Sequence, residues 1–215
     1  MSNESFDFNA FIQESKEVLI NPKSYFSTMK TSGGMTEPLI KTVVYGAIAG
    51  AIAFLWSILK LGSVGGGLLG GGFGIMVFIG YIIGSIIGLF IGAVILMIIS
   101  SICKGSTDFE VNVRVAAALM VVLPIVAFVG FTGHFNIFFG TIVGLAVNVL
   151  YLWLLYNALI EALKAKPETT KIVMYILIAI IVIFSIVGLG TKRKASQLMN
   201  EFNSSEFKEM MEQQK

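Results

Sequence analysis

The chain has 215 residues, of which 56% are hydrophobic and only 13% are charged. Soluble domains carry about 25% charged residues, so this composition excludes a water-soluble globular protein and predicts an integral membrane protein. The net charge of +2 gives no sign of a nucleic-acid partner, and the one cysteine excludes an intrachain disulfide and a cysteine-based metal cluster.

Residues 1–37 are predicted to form short amphipathic helices that lie in the membrane interface ahead of the first span. Apolar side chains recur at helical spacing from Phe8 to Leu19. Asn21 and Pro22 then end this helix and begin another, with Asn21 as the cap and Pro22 in the first helical position. An alternative interpretation is a cytoplasmic helical hairpin that packs on the protein itself.

Charged residues divide the rest of the chain, because a helix needs about 20 residues to cross a hydrocarbon core of about 30 Å. Between Lys60 and Lys104 lie 43 residues without a formal charge, and between Arg114 and Glu161 lie 46. The predicted fold class is all-α: a polytopic helical membrane protein with five transmembrane helices. The transmembrane domain covers 38–190, and a basic-then-polar tail covers 191–215. The predicted spans are 38–60, 75–103, 113–131, 136–162 and 171–190.

The long stretches contain signals that break helices. Residues 62–74 hold eight glycines in 13 positions and are predicted to form a loop, because each glycine costs about 1 kcal/mol against alanine in a helix. The following span should then be one long, tilted or protruding helix. Pro124 should kink the third span, either as an ordinary bend or as a gating hinge. A turn at 130–136 separates the third and fourth spans.

Lysine and arginine counts predict the orientation, because cytoplasmic loops carry an excess of both. With the N-terminus in the cytoplasm, that side holds nine of these residues and the opposite side holds six. Five of those six belong to the tail after the last span. Either the tail crosses despite its charge, or the span count is wrong by one.

Glycines at four-residue spacing mark predicted helix-packing faces, because small side chains let two helix backbones approach closely. A partner helix within this chain is favoured over one in a second copy, because five helices need internal interfaces. The glycines that form these faces are Gly80, Gly84, Gly88 and Gly92 in the second span, Gly46 and Gly50 in the first, and Gly140 and Gly144 in the fourth.

Ionisable side chains are nearly absent from the spans, although ion-coupled transporters place them at membrane depth. The nearest candidates for a polar cluster are Asn148, Asn157 and Glu161 on the fourth span, with an interfacial position as the simpler interpretation. His134 is the one histidine, with no cysteine or acid close enough to build a zinc site. The sequence shows no nucleophile–base pair, so no catalytic residue, cofactor or metal is predicted.

Three stretches carry a family resemblance. The first is 19–26, in which Pro22 and Phe26 precede the first span. The second runs from Lys104 to Pro124, and the third is 153–159 before a polar loop and a last span. Together they resemble the Yip family, the Ypt/Rab-interacting integral membrane proteins, over about residues 15–190. The matching residues outside the third stretch are Pro22, Phe26, Gly105, Phe109, Arg114 and Pro124.

The resemblance implies five spans with a cytoplasmic N-terminus. Eukaryotic members of the family sit in early secretory membranes, bind prenylated Rab GTPases and each other, and influence vesicle traffic and membrane shape. Some bacterial members accompany ABC-type export systems. This chain lacks the long cytosolic N-terminal region and the acidic Leu-Tyr-Gly-Pro motif, so the resemblance does not extend to Rab binding. The short chain points to a prokaryotic member in the plasma membrane.

The leading functional hypothesis is a non-enzymatic membrane protein that acts through association with other membrane proteins, with itself or with membrane lipids. The alternative is a lipid scramblase or small-solute channel, motivated by the glycine-lined second span, the kinked third span and Asn148. A weaker third hypothesis is a membrane-surface sensor that uses Phe8, Phe11, Phe26 and the tail. None of these involves nucleic acid.

Overall fold

The computed structural model of the chain describes residues 7–59, 61 and 70–202. Within these ranges, five helical segments are long and apolar enough to cross a membrane, and no strand is present. The prediction of an all-α polytopic membrane protein is therefore confirmed. The five segments are Thr36–Ile58, Gly74–Ile102, Phe109–Phe135, Ile137–Ala162 and Pro167–Gly188.

Shorter elements make up and extend these segments. In chain order the helices are α1 (Phe8–Ile20), α2 (Pro22–Thr28), α3 (Thr36–Ile58), α4 (Gly70–Ile102), α5 (Phe109–Leu119), α6 (Val122–Val129), α7 (Thr132–Phe135), α8 (Ile137–Asn157), a π-helical turn (Ala158–Ala162) and α9 (Pro167–Phe202). Helix α9 continues past the predicted end of the last span at 190, and the remainder of the predicted tail lies outside the described residues.

The first two helices form a hairpin that packs on the body of the protein, as in the alternative interpretation. The ring centroids of Phe11 and Tyr45 lie 4.8 Å apart. The hydroxyl groups of Ser15 and Tyr45 are hydrogen-bonded at 2.8 Å. Asn21 occupies the cap position before Pro22, as predicted, but its side chain makes no capping hydrogen bond.

Helix α4 begins at Gly70, so the last five residues of the predicted 62–74 loop are helical. The rest of that predicted loop, 62–69, lies outside the described residues. Packing explains the helical glycines better than propensity does. A Cβ atom at Gly74 would lie 2.7 Å from the ring of Phe54 on α3, so glycine lets the two helices meet at this point.

The third span is broken four residues before Pro124 rather than at the proline itself. The N–H of Val121 donates to Ala118 O at 3.3 Å, and the N–H of Leu123 donates to Met120 O at 2.9 Å. These bonds reach back three residues instead of four, which tightens the turn. Pro124 is the third residue of α6, where a helix leaves its N–H without an intrahelical partner in any case.

The core lies around α5, whose residues from Asn112 to Leu119 are all buried. Helices α1, α3, α4 and α8 and the π-helical turn pack around it. At the other end of the bundle, the Trp56 indole N–H donates to Ala127 O at 3.0 Å and joins α3 to α6. Helix α5 is therefore the central element of the fold, and both candidate sites are built against it.

Candidate functional site

An ion-pair cluster joins the starts of α3 and α5 to the hairpin. Arg114 has a side chain only 5% exposed, and its Nη1 lies 3.0 Å from Glu37 Oε2. Glu37 Oε1 accepts a hydrogen bond from Lys41 Nζ at 2.7 Å, and Lys41 also pairs with Glu14 on α1. Glu110, one turn before Arg114, lies 3.5 Å from Nε. We call these five residues the Arg114 cluster.

Arg114 also fixes the loop between α2 and α3. Its guanidinium donates to Lys30 O at 3.4 Å and to Gly34 O at 3.2 Å, while the N–H of Gly34 donates to Glu110 Oε1 at 2.7 Å. Gly33 has a φ of +128°, and a Cβ there would lie 2.9 Å from Arg114 Nη2. The loop therefore requires glycine at 33, both for its backbone conformation and for the space that the guanidinium occupies.

A polar cavity of about 1340 Å³ opens between the hairpin, the loop and the Arg114 cluster. Tyr25 lines this cavity, and burial raises the pKa of its phenol, with nearby Glu14 adding to the shift. The carboxylates of Glu14 and Glu37 both face cations in the cluster. Among the residues that the structure describes, no three His, Cys, Asp or Glu side chains are placed to hold a metal. The geometry is that of a clamp which holds the hairpin and loop on α5.

A second cavity, of about 250 Å³, lies within the spans between α4, the α5–α6 break and α8. We call it the mid-membrane groove. It brings together features that lie far apart in the sequence: Gly88 and Gly92 of the glycine repeat, Met120 at the break, and Asn148. The three features that motivated the channel hypothesis thus share one cavity, although Pro124 itself is not among its lining residues.

The glycine repeat on α4 does not pack against another helix of this chain within its described part. A Cβ at Gly80, Gly84 or Gly92 would meet nothing within 4 Å, and one at Gly88 would meet only Met120 Cε at 3.9 Å. The expectation of an intrachain partner is therefore wrong for Gly80, Gly84 and Gly92, whereas Gly88 approaches Met120. A four-residue step turns about 40° around a helix, so the repeat spirals from the outer face at Gly80 toward the groove at Gly92.

The other predicted packing glycines differ among themselves. A Cβ at Gly46 would collide with Ser85 on α4, and one at Gly50 would lie 3.0 Å from Phe78. A Cβ at Gly140 would lie 2.6 Å from Gly133 Cα, whereas one at Gly144 would meet nothing within 4 Å. Around Gly46 and Gly50 the α3–α4 contact therefore uses the glycines of α3 and the larger side chains of α4, whereas at Gly74 the glycine is on α4.

The predicted polar residues on the fourth span do not form one cluster. Asn157 donates its side-chain amide to Trp153 O at 2.7 Å on its own helix. Glu161 lies in the π-helical turn, and no hydrogen bond joins it to Asn157. Asn148 lies nine residues before Asn157, roughly 14 Å along the helix, and lines the mid-membrane groove.

Several residues of the family resemblance hold the turns together. Phe26 and Pro22 are buried in α2. A Cβ at Gly105 would lie 2.8 Å from Leu163 O, and the N–H of Ser106 donates to that same oxygen at 2.7 Å. Gly105 thus permits the α4–α5 turn to touch the turn before α9. Phe109, by contrast, is exposed as the first residue of α5.

Sequence reasoning missed the Arg114 cluster as a unit. It treated Lys41 as the boundary of the first span and Arg114 as a family residue. Two signals were present, because Glu37 and Lys41, and likewise Glu110 and Arg114, stand four residues apart, as helix-surface ion pairs do. The pairing of Arg114 with Glu37, 77 positions away, has no local signal.

Comparison with known families places these features in one domain. The family model described as the Yip1 domain matches residues 16–189, which include the mid-membrane groove and every member of the Arg114 cluster except Glu14. Neither the comparison with curated proteins nor that with solved structures gives a significant match. Because the matched segment covers most of the chain, the protein belongs to the Yip family.

Proposed function

We propose that this Yip-family protein is non-enzymatic and works by associating with other membrane proteins, or with copies of itself, as an accessory to an export or trafficking system. The observation that carries the proposal is the open outer face of α4, where Gly80 and Gly84 have nothing within 4 Å of their Cβ positions. Membrane helices associate where small residues let backbones approach, because lipid supplies little hydrophobic driving force.

The two faces of α4 support this interpretation. One face contacts α3 through Phe78, Tyr81 and Ser85. The outer face presents Gly80 and Gly84 between exposed isoleucines, such as Ile83. A second helix packed there would fit its own side chains into the shallow path left by the glycines.

We also propose that the membrane is the plasma membrane of a prokaryote and that the N-terminus is cytoplasmic. The lysine and arginine count supports this orientation, which puts the Arg114 cluster at the cytoplasmic end. In a eukaryotic cell the corresponding location would be the early secretory membranes. A Rab-type GTPase is not part of the proposal.

Cysteine crosslinking in native membranes tests the association face. In a Cys103→Ala background, Gly84→Cys should form crosslinked adducts with itself or with a partner that mass spectrometry identifies. The matched control is Ile178→Cys, an exposed position in the middle of α9, which should give little adduct. Equal yields at the two positions, or none at Gly84→Cys, would contradict the proposal.

A lipid scramblase or small-solute conduit is the second candidate, favoured by the mid-membrane groove beside the α5–α6 break. Purified protein in liposomes should then accelerate the flux of a fluorescent phospholipid or a small solute. Flux equal to that of empty liposomes would remove this candidate.

A further inference from the structure

We propose that the mid-membrane groove binds a neutral lipid: a hydrocarbon chain that carries an uncharged carbonyl or hydroxyl group at the depth of Asn148. The proposal does not depend on the association face, because that face is formed by Gly80 and Gly84. The groove is formed instead by Gly88, Gly92 and the helices opposite them.

The first argument is the amide of Asn148, a residue that is exposed on the surface of α8. The hydrogen bonds of the described residues give its side chain no partner, whereas Asn112 and Asn157 donate to backbone carbonyls and Asn136 caps α8. An amide at membrane depth is costly without a hydrogen bond. Asn148 lines the groove, so a ligand there could supply the missing partner.

The second argument is the space that the glycines leave open. A Cβ at Gly92 would meet nothing within 4 Å, and at Gly88 the nearest atom is Met120 Cε at 3.9 Å. Larger residues at these positions would fill the cavity. The opposite wall is the α5–α6 break, where Met120 and Leu123 line the groove. The groove, with a volume of about 250 Å³, suits a slender hydrocarbon chain. It is too small for a helix, which with its side chains is about 10 Å wide.

The third argument concerns charge and depth. None of the described residues that line the groove is charged, and Asn148 and Tyr151 supply its polar side chains. Asn148 lies 11 residues after Ile137 and 14 before Ala162, roughly 16 Å and 21 Å from the two ends of the span. A charged head group at that depth would need a counter-charge. A neutral lipid needs only the amide, which can donate to a carbonyl or bond a hydroxyl.

Photolabelling in nanodiscs of phosphatidylglycerol and phosphatidylethanolamine tests the proposal on the full chain. The probes are three lipids with a diazirine in the chain: a diacylglycerol, an isoprenoid quinone and a phosphatidylethanolamine. We expect the diacylglycerol or the quinone to label peptides of α4, α6 and α8, and the phospholipid to label them far less. The probe that labels more strongly identifies the source of the polar group.

Matched variants locate the site. Asn148→Leu should lower labelling about tenfold, the ratio expected for one hydrogen bond in a membrane, and Asn148→Gln should restore part of it. Gly92→Leu should abolish labelling by filling the groove. Gly144→Leu, on α8 outside the groove with open space around it, should leave labelling unchanged. Thermal unfolding of each variant checks that it folds.

Three results would overturn the inference. The first is equal labelling of Asn148→Leu and the unaltered chain. The second is labelling by the phospholipid probe as strong as that by the neutral-lipid probes, which would mean that the groove holds only ordinary boundary lipid. The third is efficient disulfide formation between two copies of Asn148→Cys in a Cys103→Ala background, which would mean that a second copy covers the groove. A Gly84→Ile variant that loses association yet keeps labelling would separate this site from the proposed function.

Discussion

Helices α5 and α9 belong to segments that can both cross a membrane, yet their surroundings differ sharply. Half of the apolar stretch in the α5–α7 segment is buried inside the protein, against 6% of the apolar stretch in Pro167–Gly188. The α5 end of the bundle is fixed by ion pairs, backbone bonds between turns and a required glycine. The outer face of α4 and most of α9 between Ile172 and Gly188 present apolar side chains and open glycines instead. Residues of similar hydropathy therefore serve two purposes: internal packing around α5, and contact with lipid or partners elsewhere.

Removal of the Arg114 guanidinium should cause the largest loss of stability. Arg114→Met leaves Glu37 and Glu110 facing each other without their shared partner and frees the loop that Arg114 holds. The loss should be about 3 kcal/mol, because Arg114 bonds two carboxylates and two backbone carbonyls. It should not exceed that figure by much, since the side chains of Glu37 and Glu110 are 42% and 33% exposed and water can solvate the carboxylates left behind. Thermal unfolding in detergent measures the loss, and Lys171→Met, at an exposed cation on α9, should change the unfolding temperature little. Equal effects of the two substitutions would contradict the contrast between α5 and α9.

A methyl group added at a closely packed glycine should cause the next largest loss of stability. Gly105→Ala places a Cβ 2.8 Å from Leu163 O and 2.6 Å from Ser100 Oγ. Overpacking of this kind costs about 1–3 kcal/mol. Gly84→Ala, with nothing within 4 Å, should leave the unfolding free energy unchanged or raise it by up to about 1 kcal/mol through helix propensity. If both glycines tolerate alanine equally, the α4–α5 turn is not held as tightly as its geometry implies.

Loosening of the hairpin should have a smaller effect. Tyr45→Phe removes the hydroxyl that bonds to Ser15 and should cost about 1 kcal/mol. The change should appear as faster amide hydrogen exchange in α1, with α8 unaffected. Tyr175→Phe, on the exposed surface of α9, is the control and should not alter exchange in α1. Unchanged exchange in Tyr45→Phe would mean that ring packing alone holds the hairpin.

The smallest effect concerns alkaline pH. Burial raises the pKa of Tyr25 in the folded chain, so folding favours the neutral phenol. The stabilisation is fully present below the unfolded value of about 10 and is lost as the pH rises above it, because only the unfolded chain then releases the proton readily. Between pH 9 and 11, the free energy of unfolding should therefore fall less steeply with pH for Tyr25→Phe than for the unaltered chain. Parallel curves for the two proteins would show that Tyr25 does not contribute.

Much of the fold was predictable, because hydropathy reports the surrounding solvent directly. Five spans follow from the stretches without charge, and the α1–α2 boundary follows from Asn21 and Pro22. The helical start at Gly70 was not predictable, because contacts such as that of Gly74 with Phe54 override propensity. The series of ion pairs from Glu14 through Lys41 and Glu37 to Arg114 joins three parts of the chain. No local sequence pattern encodes which of these charges will meet. Asn148 and Gly92 were noticed separately, but only the packing of α4 against α5, and of α8 against α5 and α6, brings them to one cavity.

The contact between the two turns also bears on how the protein is made. Ser106 donates to Leu163 O, and the N–H of Lys166 donates to Cys103 O at 2.9 Å. These partners are separated by about 60 positions, and chains emerge from the ribosome N-terminus first. The α4–α5 turn must therefore wait for α8 to be synthesised and inserted before it reaches its final conformation. A chain arrested before Leu163 would have made four of the five spans with this turn still unfinished, a state that membrane quality-control proteases could recognise.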